Sequence, residues 1–143
     1  MTRPVESARR RAREAAFRVA YQADIASDSY AEAWRTRQED ERLSDDQSGL
    51  VADVVRVLDT QASDVDAALV AAAAHWPLAR MAATDRSVLR TAVAELMGRP
   101  GTPARVVIDE AVDIARRYGS EGSPAFVNGV LDHVARALRP AEF

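Results

Sequence analysis

Four arginines fall within five positions near the start of the chain: Arg9, Arg10, Arg11 and Arg13. A guanidinium is planar and permanently charged, and its fork of donors matches phosphate oxygens two at a time. Two aromatic residues, Phe17 and Tyr21, follow in the same stretch, SARRRAREAAFRVAYQAD. Phosphate clamps beside aromatic rings suit single-stranded nucleic acid. Basic arms also bind duplexes, membranes and acidic proteins. If this stretch is helical, the arginines sit at its start, where the macrodipole disfavours cations by about 0.3–1 kcal/mol each when exposed. Placing them there against that tendency points to a use.

Other chemistry is thinly represented. There is no cysteine, so disulfides and thiolate sites are excluded. The two histidines, His75 and His133, are isolated by sequence and read as structural or exposed. The acids Glu39, Asp40, Glu41, Asp45 and Asp46 read as a solvated loop rather than a cation site. No phosphate-binding glycine loop, nucleophile elbow or HExxH is present. Nothing assembles a nucleophile, a base and an oxyanion donor. The expectation is therefore a protein that is not an enzyme and that needs no cofactor and no metal. Asp85 stands out because it interrupts the stripe of Met81, Val88, Leu89, Ala92 and Leu96. It is either a first-turn acid of a helix restarting near Thr84 or an acid that faces a partner.

Net charge hides a dipolar layout. The chain carries −3 overall, and all 19 basic residues are arginine. Residues 1–18 carry +4, from six arginines and two acids, whereas residues 24–66 carry −8, from four arginines and twelve acids. A local basic arm can hold a polyanion that the acidic whole would repel. No apolar run is long enough to span a membrane, and the opening MTRPVESARRR has no apolar core of a secretory signal. These features predict a cytoplasmic protein whose 143 residues form a single domain, with a basic N-terminal arm at about residues 1–13.

The elements that must position these residues read as all-α, with about seven helices and no period-2 pattern. The first runs from about Glu6 to Ile25 and the second from Tyr30 to Arg37, with QEDERLSDDQ as a connection. Ser44 caps a third, to about Thr60, and Ser63 a fourth, ending before Trp76-Pro77. Leu78–Met97 continues with a break near Thr84. Thr102-Pro103 opens a helix ending at Gly119, and Ser123-Pro124 opens a last one to about Leu138. On the first helix Ala8, Ala12, Ala15, Ala16, Val19 and Ala23 share a small-residue face fit for close packing. Phe17 and Tyr21 lie on nearly the opposite side. For Phe17 a second core cluster and a contact surface stay open as readings, with the core favoured. Phe126 falls at the edge of the last helix's apolar stripe.

Four segments together resemble one family. ARRRAREAAFRVAYQ, WPLARM followed by DRSVLRTAVAEL, VVIDEAVDIARRYG and FVNGVLD occur in order between Ala8 and Asp132. In this they are similar to the NusB family of bacterial transcription antitermination factors; residues 27–60 match weakly. The resemblance implies two small packed helical bundles. It implies pairing with NusE, also a small-subunit ribosomal protein. It further implies binding to boxA RNA of nascent ribosomal RNA leaders, and action on RNA polymerase with other Nus factors. By the same resemblance Arg9, Arg10, Arg11 and Arg13 match an arginine-rich RNA-binding motif. Ser123, Phe126 and Asn128 belong to a second RNA-contacting segment, and Tyr21 and Asp85 match the NusE-facing surface. Gly122 stands where the family usually has an acid, and Ala125 where a basic residue is common. Two other readings compete: a free-standing relative of the RNA-targeting domain of ribosomal RNA cytosine methyltransferases, and a helical protein-interaction module that could homodimerise.

Overall fold

The computed structural model describes residues 4–143, with side chains from Ala8 onward. The first three residues of the expected basic arm lie outside the described residues. Seven α-helices follow one another: α1 (Pro4–Ala26), α2 (Tyr30–Glu41), α3 (Asp45–Thr60), α4 (Ala62–Ala72), α5 (Ala83–Gly98), α6 (Ala104–Tyr118) and α7 (Ser123–Leu138). Short 3₁₀ turns at Leu78–Arg80 and Pro140–Glu142 complete the chain, and the described residues contain no strand.

The helices form two bundles that share α5. On one side α1 and α3 pack on α5, with α2 laid against α1 and α3; on the other, α6 and α7 pack on α5 and on each other, with α4 laid against α5 and α7. The sequence of α5 explains its position. Every residue from Ser87 to Leu96 except Arg90 is buried. A helix buried on nearly all sides lies in the middle, and Ser87, Thr91 and Glu95 are the polar side chains that α5 takes there. On the small-residue face of α1, Ala12, Ala15, Ala16, Val19 and Ala23 are buried as its wheel predicts and Ala8 is half-buried, and Leu50, Val88 and Leu89 belong to the same core. Val107, Ile114, Val127, Leu131 and Val134 fill the other bundle.

Several boundaries differ from those the sequence predicts, each for a local reason. Helix α2 runs four residues past Arg37, because Glu41 is held there by Arg18 and Arg37. Arg42 then stops it in the left-handed region, at φ 50°. Ser29 caps α2 by accepting from the Glu32 N–H. Ser44 caps α3 as expected, in a reciprocal box with Gln47. Ser63 caps nothing: α4 starts at Ala62, directly after the Gln61 N–H closes α3 on Val57. The break before Thr84 is real, and it makes Asp85 a first-turn residue of α5. Thr102 does not cap α6. Pro103 occupies that position, and the free Ala104 N–H is taken by the Glu142 carboxylate from the far end of the chain. That N–H, and then Arg139, hold the Glu142 carboxyl below its ordinary range. Gly122, not Ser123, is the cap residue of α7.

One contact makes the fold acid-sensitive. Arg18 grips Glu41 with Nε and Nη2, at 2.9 and 2.8 Å, tying α1 to α2. These hydrogen bonds lower the Glu41 pKa against the opposing effect of burial, helped by the Arg18 charge and by Arg37. A carboxylate depressed by folding contributes stability above its unfolded pKa of about 4.3, and that contribution drains as pH falls through the lower folded value. In urea titrations from pH 6 to pH 3, the wild type should therefore lose stability in the acid range more steeply than Glu41→Gln, which has no proton to take up there.

Candidate nucleic-acid interface

The arginines of α1 do not form one exposed cluster. Successive turns of the helix spend them differently, because α1 crosses the seam between the two bundles. Arg13 is buried, 7% exposed, between carboxylates of two other helices. Its Nε and Nη2 donate to Glu95 of α5 at 2.7–3.1 Å, and its Nη1 donates to Glu110 of α6 at 3.1 Å. Burial opposes its charge, but the hydrogen bonds and charges of Glu95 and Glu110 outweigh it and raise the pKa. Buried in this way, the guanidinium is turned toward the two carboxylates and away from solvent. The expectation that Arg13 grips RNA does not fit its placement; it is a strut.

Arg10 is half in and half out, 46% exposed. It pairs with Glu110, and its Nη2 lies 2.6 Å from Asp113. The hydrogen bond to Glu110 is the main cause of its raised pKa. Arg10 is thus aimed in advance, with part of its charge already neutralised. Arg11 is exposed and makes no ion pair among the described residues. Arg9 is half-buried, and its Nε has no hydrogen-bond partner. One turn on, Glu14 accepts from Tyr118 Oη at 2.8 Å and from Arg117 at 2.9 Å. The arginine stretch therefore both ties α1 to α5 and α6 and leaves Arg10 and Arg11 facing solvent.

Phe17 is buried, 4.9 Å from the Tyr118 ring and 6.1 Å from the Tyr21 ring. Its core placement settles the ambiguity of the wheel. Tyr21 emerges at 38% exposure, and Ile25, one turn further, is 61% exposed. Together with Gln22, Arg37 and Thr84 they line a groove of about 570 Å³. Tyr21, Ile25 and Ala26 lie together in this groove, and a contiguous apolar surface of that kind gains by being covered. Asp85 is not in that groove but adjoins it through Thr84. It accepts a 2.6 Å hydrogen bond from Ser123 Oγ. Ser123 is buried, and its Oγ also accepts from the Ser120 N–H. Its hydroxyl joins the starts of α5 and α7 and is not directed at a ligand. Gly119 makes room for it, since a Cβ there would come within 2.5 Å of that oxygen. Asn128 is exposed, and Phe126 is half-buried against Trp76, with ring centres 6.5 Å apart.

Sequence reasoning missed Glu95, Glu110 and Trp76. The first left a signal: an acid inside the apolar run VLRTAVAEL needs a buried cation, and Arg13 supplies it. Trp76 beside a proline was legible only as a helix end.

The chain matches the NusB family over residues 10–136. It is 45% identical over 140 residues to the transcription antitermination protein NusB of Anaeromyxobacter dehalogenans, covering 94% of this chain and 95% of that one. It is 40% identical over 134 residues to that of Koribacter versatilis, covering 91% and 90%. Its fold is similar to that of T. maritima NusB, with a TM-score of 0.83, 34% identity and coverage of 95% and 93%. It is also similar, with a TM-score of 0.75, 27% identity and coverage of 92% and 98%, to a chain in a crystal structure of antitermination factors NusB and NusE with double-stranded RNA.

Proposed function

The chain belongs to the NusB family, and from that premise we propose that it is a transcription antitermination factor. It binds boxA RNA of nascent ribosomal RNA leaders together with NusE, and with other Nus factors it keeps RNA polymerase moving past terminators. The observation that carries this reading is the division of α1. Its first turns offer Arg10 and Arg11 to solvent, and its last turns offer Tyr21 and Ile25 to an apolar groove. One rigid helix can thus hold RNA at one end and a protein at the other. Arg9, Arg10 and Arg11 supply phosphate contacts, while Phe126 and Asn128 at the start of α7 supply base contacts. NusE covers the groove of Tyr21 and Ile25, with Asp85 at its margin holding α5 and α7 in register through Ser123. The reading assigns the protein no catalysis and no cofactor, and places its work in the cytoplasm.

A titration of boxA RNA and a scrambled RNA of equal length, with and without NusE, tests it. The expected result is tighter binding of boxA than of scrambled RNA, tighter still with NusE, and weaker as salt rises. Equal affinity for both RNAs would overturn the RNA assignment. Ile25→Asp replaces the groove's most exposed large apolar side chain with a charge without touching the core. It should lower NusE affinity at least ten-fold and leave binding of RNA alone unchanged. Undiminished NusE binding would remove this groove from the interface. Mass measurement in solution, with and without NusE, separates the heterodimer from a homodimer on the same face.

A further inference from the structure

Gly129 lies in the middle of α7, where glycine is a poor choice because it gives up the most chain freedom on folding. The fold does not require it. A Cβ built there meets no atom within 4 Å, and the residue does not adopt positive φ. The space it leaves belongs to a groove of about 410 Å³ between α4 and α7, lined by Trp76, Phe126, His75, Ala73, Ala125 and Gly129. Trp76 is 53% exposed, a large apolar surface left in water. Phe126 meets it at an interplanar angle of 63°, so the two rings do not stack on each other.

We infer that this groove is a stacking slot for one unpaired base of the bound RNA. Trp76 is its platform, Phe126 its side wall, and Gly129 the clearance that lets a flat ring lie against the helix. The inference deepens the RNA reading and rests on it. Three observations favour a base as the occupant. The slot includes Phe126, to which the RNA reading gives a base contact, and Ala125, Gly129 and Val130 continue that same face along α7. No carboxylate lines the groove to repel a phosphate chain. Its walls are rings and its floor is alanine and glycine, which suits a planar π-face better than a side chain needing depth.

The chain has two tryptophans, so Trp34→Phe leaves Trp76 as the sole indole reporter. Titrating this variant with a boxA oligonucleotide in the presence of NusE should quench Trp76 emission in parallel with the gel shift. Trp76→Ala and Gly129→Leu should each weaken RNA binding about ten-fold, with Trp76→Phe losing less than Trp76→Ala. Gly129→Leu should melt no lower than wild type, because its side chain enters open space and favours helix. RNA that binds fully without quenching, and equally well to Trp76→Ala and Gly129→Leu, would overturn the slot while leaving the RNA reading intact. Quenching by NusE alone, with Gly129→Leu weakening NusE rather than RNA, would overturn it in favour of a protein surface. Failure of the wild type to bind boxA RNA at all would overturn both readings.

Discussion

Arg13→Ala is expected to cost about 3–5 kcal/mol of unfolding free energy, because it strands buried carboxylates without their cation. Glu95 is nearly fully buried, and among the described residues only Arg13 donates to its side chain. Glu110 keeps Arg10 as a partner but loses Arg13. For a chain of this length that loss corresponds to a fall in melting temperature of about 10 °C or more. Urea unfolding followed by circular dichroism measures it directly. A variant within about 1 kcal/mol of wild type would show that Arg13 is no strut. The double variant Arg13→Met with Glu95→Leu separates charge from packing. It removes both ends of the closest pair, and apolar replacements of a buried pair are often neutral or stabilising. It should recover more than half of the loss. Had Arg13 served RNA alone, Arg13→Ala would be stable and weak in RNA binding, and the double variant would restore nothing.

Arg13 also shows where sequence reading stops. A helical wheel places it on α1 but cannot say that α5 and α6 bring Glu95 and Glu110 to the same point, 82 and 97 residues away. The same limit hid the partner of Asp85, because the hydroxyl it accepts from lies 38 residues on. What depends on local periodicity was legible: the alanine face of α1, the apolar stripe of α7, the restart of α5 before Asp85 and the N-cap at Ser44. Boundaries set by tertiary partners were not. The end of α2 is decided by Arg18 reaching Glu41, and the start of α6 by Glu142 reaching Ala104. The candidate interface was proposed from the sequence as arginine with aromatics, but only the packed helices separate the arginines that face solvent from the one buried between α5 and α6. The same packing sends Phe17 inward and leaves Trp76 out.

Arg10→Ala with Arg11→Ala should cut RNA affinity at least ten-fold at low salt while leaving the fold intact, since the Arg13 strut is untouched. The two side chains are not equivalent. Arg11 makes no ion pair among the described residues, so its full charge is available to a phosphate. Arg10 is shared with Glu110 and Asp113, and a phosphate must compete with them. Salt dependence distinguishes the cases, because each phosphate neutralised on a single strand adds about 0.7 to the slope of log affinity against log salt. If both arginines neutralise phosphates, the double variant should flatten the slope by about 1.4; if only Arg11 does, by about 0.7. Asp113→Asn gives the opposite sign. It removes one competitor for Arg10 and one negative charge near the RNA path, so affinity should rise and the slope steepen. A double variant with unchanged affinity and slope would take the arginine arm out of RNA binding and leave α1 only its seam and its protein-facing groove. An Asp113→Asn variant that binds no better would show that Arg10 does not exchange Asp113 for RNA.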